Sequence, residues 1–156
     1  MAHKVKKNNS HLTAISRNKI SAPLKTLYNL GLINHAKTIL DFGCGKGYDF
    51  KWLRLKGFNA AGFDPYWSLD YSAVNNKYDI VLCTYVFNVI GLNQREETLN
   101  TLKKLITPNG KIYITVRRDL KKDYITKRGT EQYLVKLPHK VVKENSQYCI
   151  YEINNG

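Results

Sequence analysis

Little in this chain can cross-link it. Its 156 residues include three cysteines, Cys44, Cys83 and Cys149, odd in number and far apart. That pattern supports neither a disulfide framework nor a zinc knuckle, so free thiols and no metal site are expected. Long hydrophobic runs are also missing. No stretch approaches the roughly 18 consecutive apolar residues of a membrane helix, and the opening MAHKVKKNNSH is polar where a signal peptide needs an apolar centre. A cytoplasmic protein without membrane contact is therefore expected. Acidic residues are scarce, 12 against 25 Lys and Arg, for a formal net charge of +13. Such an excess invites a polyanionic partner through phosphate contacts and counterion release. The Lys, Asn, Ile and Tyr richness is spread along the whole chain, however, so compositional bias is the plainer explanation of the charge.

Hydrophobic residues make up 43% and charged residues 24%, the balance of a chain that folds unaided around one core. Residues 1–12, with Lys4, Lys6 and Lys7 among polar neighbours and no apolar period, read as a flexible basic arm; residues 13–156 read as a single domain. Ser21 is an N-cap candidate ahead of Pro23, and Leu24, Leu27, Tyr28, Leu30 and Leu32 recur at helical spacing to Asn34, predicting three turns weakened near Gly31. Next comes a short apolar strand, Thr38–Phe42, running into Gly43-Cys-Gly-Lys-Gly47 and a helix that Gly57 stops.

Asn59–Phe63 is a second strand, ending at Asp64-Pro65, and Tyr78–Tyr85 is a third, apolar enough to be buried on both faces. A helix over Asn93–Leu105 is expected, with Glu96 and Glu97 in its first turn, then a turn at Pro108-Asn-Gly110 and a strand over Lys111–Val116. Two further runs, Gln132–Leu137 and Tyr148–Ile153, lack room between them for a crossover helix and are expected to pair antiparallel. The order predicts an α/β fold: a mostly parallel sheet, helices on both faces and an antiparallel C-terminal strand pair.

In such a sheet the ligand sits beyond the carboxyl ends of the strands. Asp41, Gly43, Gly45 and Gly47 lie there, where glycines allow a tight bend and close approach of main chain to a ligand. Asp64 ends the next strand 23 positions after Asp41, where a carboxylate can accept the hydroxyls of a ribose; capping the strand end is its plainer role. A dinucleotide turn would place its third glycine at position 48, which is Tyr48, so an NAD module is disfavoured.

The run DFGCGKG, with a leading acid and glycines at every second position, resembles motif I of class I S-adenosylmethionine-dependent methyltransferases. GFDPYW resembles their second motif, YDIVLCTYVFNVI the strand and loop beside the reacting methyl, and LITPNGKIYITV the turn and fifth strand. The likeness spans about residues 36–119. The RNKISAP segment and the DP pair are further similar to small phage-type methyltransferases and DNA-modification relatives.

The resemblance implies a Rossmann-like fold and S-adenosyl-L-methionine as cofactor. It places Gly43, Gly45 and Gly47 against the methionine part, Asp41 behind the loop and amino group, and Asp64 on the ribose, with Phe42, Pro65 and Thr84 bordering the cofactor. Only 14 residues separate Asp64 from Asp79, too few for the family's usual helix, strand and helix, so the third strand and its adenine-binding acid are expected to be absent. Tyr66 and Trp67 can then stack on adenine with Asp70 near its amine, or simply cover the shortened sheet.

Tyr85 and Asn88, with Phe87, would flank the acceptor, Asn88 orienting an amine or hydroxyl or else capping the next helix. No D/N-P-P-Y/F or Pro-Cys motif occurs, so neither familiar DNA-methylating chemistry is indicated. Arg117 and Arg118, followed by Lys121, Lys122, Lys127 and Arg128, leave the fifth strand at the cofactor rim. With Arg17 and Lys19 they either bind a phosphate-bearing acceptor or form a solvated basic surface. Lys46 is expected to point to solvent. The expected partners are the cofactor and an unidentified methyl acceptor, with nucleic acid or a nucleotide among the candidates; a non-catalytic cofactor-binding partner of a nucleic-acid-modifying complex is the alternative. The sequence does not settle the oligomeric state.

Overall fold

The first helix starts where Ser21 and Pro23 require it to. In the computed structural model, which describes residues 19–67 and 70–155, α1 spans Ala22–Asn29, and Ser21 Oγ accepts from the Leu24 N–H at 3.3 Å. The expected third turn does not form. Gly31 takes φ +72°, and the Leu32 N–H returns to the Leu27 carbonyl, closing the helix with the glycine-based stop that leaves Leu30 exposed. The N-terminal arm and Arg17 lie outside the described residues.

From there the order is β1 (Thr38–Phe42), α2 (Tyr48–Leu55), β2 (Asn59–Phe63), a 3-10 helix at Tyr71–Asn75, β3 (Tyr78–Thr84), a 3-10 turn at Phe87–Val89, α3 (Leu92–Lys104), β4 (Ile106–Arg117), a small hairpin β5 (Tyr124–Ile125) and β6 (Glu131–Gln132), then β7 (Lys140–Glu144) and β8 (Tyr148–Asn154). Six strands form one sheet in the order β2-β1-β3-β4-β8-β7. Pairings are parallel from β2 through β4 and antiparallel for β4–β8 and β7–β8. This is the expected Rossmann-like sheet. One outer strand is β2, and among the described residues its connection to β3 holds only a 3-10 helix and no third strand.

Side chains on alternate faces of the strands build two cores. Leu24 and Leu27 of α1 and Leu53 of α2 pack with Ile39, Ile80, Leu82 and Tyr113 on one face. On the other, Leu102 of α3 packs with Val81, Cys83, Ile112 and Ile114. Leu53 and Leu102 are fully buried, each contributing roughly 1.5–3 kcal/mol by leaving water.

Three expectations shift. The strand paired with β8 is Lys140–Glu144 and not Gln132–Leu137. Asn145 accepts from the N–H groups of Gln147 and Tyr148, a tight side-chain-closed turn that makes the immediately preceding residues the partner strand. The 132–137 run instead crosses the face of the sheet and buries Val135. Pro108–Gly110 does not precede β4 but interrupts it as an irregularity, with the register to β3 slipping between Tyr78 and Ile80. Finally, α3 begins at Leu92 with no acid in its first turn, so Glu96 and Glu97 fall one turn too late for the helix dipole.

At the open side of β2, Arg54 Nε donates to the Ala60 carbonyl at 2.7 Å while its guanidinium lies over the Phe50 ring, 5.5 Å away.

Candidate active site

The bend after β1 is held from both ends. Gly43, Gly45 and Gly47 have φ of +75°, +56° and +83°, a region that side-chain-bearing residues enter only with strain. The N–H groups of Gly43 and Cys44 both donate to the Phe63 carbonyl at the end of β2, at 2.7 and 3.1 Å. Packing makes the same demand as the backbone: a Cβ on Gly43 would lie 2.5 Å from Val86, and one on Gly47 2.4 Å from the Phe50 ring. Neither contact is visible in the sequence, because Val86 and Phe50 arrive from β3 and α2. Gly47 carries no side chain to cap α2, and a helix N-terminus opened by glycine suits a polar or anionic ligand.

Three carboxylates surround this bend. Asp41 is buried, and its pKa is pushed well up, first by burial and then by Asp49 and Asp64; a cation beside it would relieve that cost. Asp49 accepts from Ser21 through both the backbone N–H (2.8 Å) and the hydroxyl (2.6 Å), tying the start of α1 to the first turn of α2.

Asp64 accepts from the Gly45 N–H at 2.9 Å and, through its other oxygen, from the N–H groups of Tyr66 and Trp67 at 2.9 and 3.0 Å. It is thus both a strand-end cap and a brace for the bend. A carboxylate has about four acceptor positions; three are taken, so one ribose hydroxyl fits directly and a second fits when the Gly45 N–H turns to the ligand. Cys44 sits in the same bend with its thiol pushed up by burial, then by Asp41 and Asp64, an inert rather than nucleophilic state.

After Pro65, Tyr66 and Trp67 meet edge-to-face at 5.1 Å and remain largely exposed. Lys46 does not simply extend into solvent: its Nζ lies 5.1 Å from the Trp67 ring centre, a cation–π contact joining bend and aromatic pair. Asp70 caps the 3-10 helix through the Ser72 N–H and hydroxyl. Phe42 packs on Phe63 against the core.

The opposite flank is built from side chains. Thr84 ends β3 opposite Thr115. Tyr85 follows with φ +59°, an uncommon conformation for so bulky a residue, and donates its N–H to the Thr115 carbonyl at 2.9 Å. Such strain is a mark of functional positions. Phe87 is wholly buried. Asn88 is not a helix cap, since α3 begins on Gly91 without one. It is buried, its Nδ2 donates to Gln132 Oε1 at 3.1 Å, its carbonyl accepts from the Tyr133 N–H at 2.7 Å, and its Oδ1 has no partner among the described residues.

The two arginines are committed within the fold. Arg117 grips Asp119 through two bonds of 2.8 and 2.7 Å, holding that carboxyl below its ordinary pKa. Arg118 reaches Glu144 (2.9 Å), the Val135 carbonyl (2.6 Å) and the Tyr151 hydroxyl (2.6 Å). Lys19, Lys121, Lys122, Lys127 and Arg128 are exposed.

The sheet order and the glycine bend define a class I, S-adenosylmethionine-dependent methyltransferase. The chain belongs to the methyltransferase domain family, which it matches over residues 15–146. No curated protein matches it in sequence. Among solved structures it resembles 1,6-didemethyltoxoflavin-N1-methyltransferase of Burkholderia thailandensis, crystallised with S-adenosylhomocysteine, at 12% identity and TM-score 0.63, covering 84% of this chain and 76% of that one. It also resembles a TehB-like S-adenosylmethionine-dependent methyltransferase of Corynebacterium glutamicum (14% identity, TM-score 0.56, 88% and 89% covered). A Pyrococcus horikoshii protein is similar at 15% identity and TM-score 0.56, with 85% and 89% covered. Among the described residues no helix is long and apolar enough to cross a membrane.

Proposed function

We propose that residues 13–156 act as one methyltransferase unit that moves the methyl group of S-adenosylmethionine to a small-molecule or phosphate-bearing acceptor. The observation that carries this reading is the three-glycine bend, all at positive φ, braced by Asp64 at the end of the neighbouring strand. When bound, the cofactor supplies a methyl carbon on a cationic sulfur. Asp41 offers its charge to the cofactor's ammonium group, which accounts for a carboxylate kept buried at a cost. Asp64 accepts from the ribose, and Pro65, Tyr66 and Trp67 form the adenine's platform where the third strand would have stood.

Methyl transfer needs the acceptor's lone pair in line with the methyl carbon and water excluded, so positioning does much of the catalysis. Tyr85 and Asn88 hold the acceptor in line on the far flank. With the cofactor bound, it would supply the methyl carbon that the acceptor's lone pair attacks, the carbon–sulfur pair would return to sulfur, and the proton released from the acceptor would pass to water. With Arg117 and Arg118 engaged internally, attraction of an anionic acceptor falls to the exposed Lys121, Lys122, Lys127 and Arg128.

Calorimetry with S-adenosylhomocysteine and NAD, followed by incubation with methyl-labelled cofactor and pools of metabolites, nucleotides, RNA and DNA, tests this. Binding of S-adenosylhomocysteine in preference to NAD, with label reaching one pool, is the expected result. Preference for NAD refutes the cofactor assignment; cofactor binding with no label in any pool points to a non-catalytic binding partner.

A further inference from the structure

We infer that Gln132, on the β5–β6 hairpin, is a positioning residue for the methyl acceptor, and that the acceptor it selects presents an N–H, as an amine does. The inference rests on the methyltransferase reading and adds the class of acceptor. Asn88 lies four residues beyond the end of β3, at the rim where the acceptor must stand. Its amide has two polar atoms, and Gln132 engages one: Nδ2 donates to Oε1 at 3.1 Å. The other, Oδ1, is buried with no hydrogen-bond partner among the described residues.

Buried polar atoms without partners are rare in folded proteins because each forfeits its hydration. An unpaired carbonyl at this rim is most simply an acceptor waiting for a donor that arrives with substrate. The orientation is not left to chance. Gln132 is itself buried, and the next residue, Tyr133, donates its N–H to the Asn88 carbonyl at 2.7 Å, so backbone and side chain together clamp the hairpin onto Asn88.

The charged groups nearby are of both signs. Tyr133 donates its hydroxyl to Glu131 at 2.6 Å, Asp123 accepts from the Leu134 N–H at 2.8 Å, and Arg95 lies 5.4 Å over the Tyr133 ring. With Lys127 and Arg128 on the same hairpin, the acceptor class rests on Oδ1 itself: it only accepts, so an N–H satisfies it and a thiolate or carboxylate does not. An amine fits: one N–H donates to Oδ1, which turns the nitrogen lone pair towards the methyl carbon. After transfer the nitrogen's surplus proton leaves to water. The hairpin stays seated, since Gln132 must keep its bond to Nδ2 for Oδ1 to face the acceptor, and the acceptor reaches the covered Oδ1 by displacing neighbours other than Gln132.

The test uses the full chain loaded with S-adenosylhomocysteine and the probes benzylamine, benzyl alcohol and benzyl mercaptan, followed by the nitrogen-15 signals of the Asn88 side-chain amide. Benzylamine should shift those signals saturably and bind more tightly than the thiol. Gln132→Met should weaken benzylamine about tenfold, the usual effect of one lost hydrogen bond at a buried group, while S-adenosylhomocysteine affinity stays within about twofold. Gln132→Glu, which still accepts from Nδ2, should restore amine binding. Asn88→Leu should remove it even if Gln132→Met proves too unstable to study. Preference for the mercaptan, no amine binding in protein that binds S-adenosylhomocysteine, or equal amine affinity in Gln132→Met and Gln132→Glu would each overturn the inference. Failure of the unmodified protein to bind S-adenosylhomocysteine would instead remove the methyltransferase reading, and this inference with it.

Discussion

The two flanks of the sheet's carboxyl rim are fastened by different means. Around residues 41–67 the backbone does the holding: the Gly43 and Cys44 N–H groups reach the Phe63 carbonyl, and three further N–H groups converge on Asp64. Around residues 84–135 side chains do the holding: Asn88 to Gln132, Arg117 to Asp119, and Arg118 to Glu144, Tyr151 and the Val135 carbonyl. A backbone-built site tolerates almost any neighbouring sequence provided glycine and one acid are in place. A side-chain-built site can be retuned by single substitutions. The first suits a cofactor that never changes, the second an acceptor that differs between relatives.

Substitutions should separate the flanks. The largest effect is expected at Arg118, whose side chain is only 11% exposed. Arg118→Met strands the Val135 carbonyl and should lower unfolding free energy by about 2–3 kcal/mol, read by urea denaturation, with S-adenosylhomocysteine affinity little changed in the protein that remains folded. A stable variant that loses only acceptor turnover would return Arg118 to the acceptor site. Gly45→Val should do the reverse: strain at φ +56° and a branched side chain in the bend should weaken cofactor binding about a hundredfold by calorimetry. Asp64→Asn keeps one accepting oxygen but loses the charge, and a loss of about tenfold is expected; unchanged affinity would show that the brace never meets the ribose.

The smallest effect concerns Asp41. Burial raises its folded pKa, so the folded state holds that proton more tightly than the unfolded chain. Stability should therefore fall as pH climbs from the ordinary carboxylate range through the raised value. Asp41→Asn should flatten that slope and stabilise the free protein at pH 7 by on the order of 1 kcal/mol, while weakening binding of the cationic cofactor. An unaltered pH dependence would count against the buried charge.

The backbone flank was readable in advance for a physical reason. A bend requiring positive φ must be written with glycine, and Gly43, Gly45 and Gly47 announce it wherever the chain is cut. Parallel strands buried on both faces must be apolar, as Tyr78–Thr84 is. The other flank hides because its partners are distant in sequence: nothing in the neighbourhood of Gln132 indicates that it meets Asn88, or that Arg118 reaches Tyr151. The 132–137 run looks like a strand since it is apolar and β-branched, but it earns burial by lying across the sheet. Helix ends were misplaced by a turn at α1 because Leu30 and Leu32 extend the apolar spacing past a glycine stop. Ser21 was legible as a cap, though its second task of holding Asp49 was not.

One feature of the fold reaches beyond catalysis. A sheet that ends a strand early leaves peptide groups facing outward, an invitation for another copy to zip on and for aggregates to grow. By laying a charged, bulky arm across the Ala60 carbonyl, the chain makes its own stopper there. Arg54, carried by a helix that the shortened domain needed anyway, thus fills an outward-facing acceptor on the strand left at the edge.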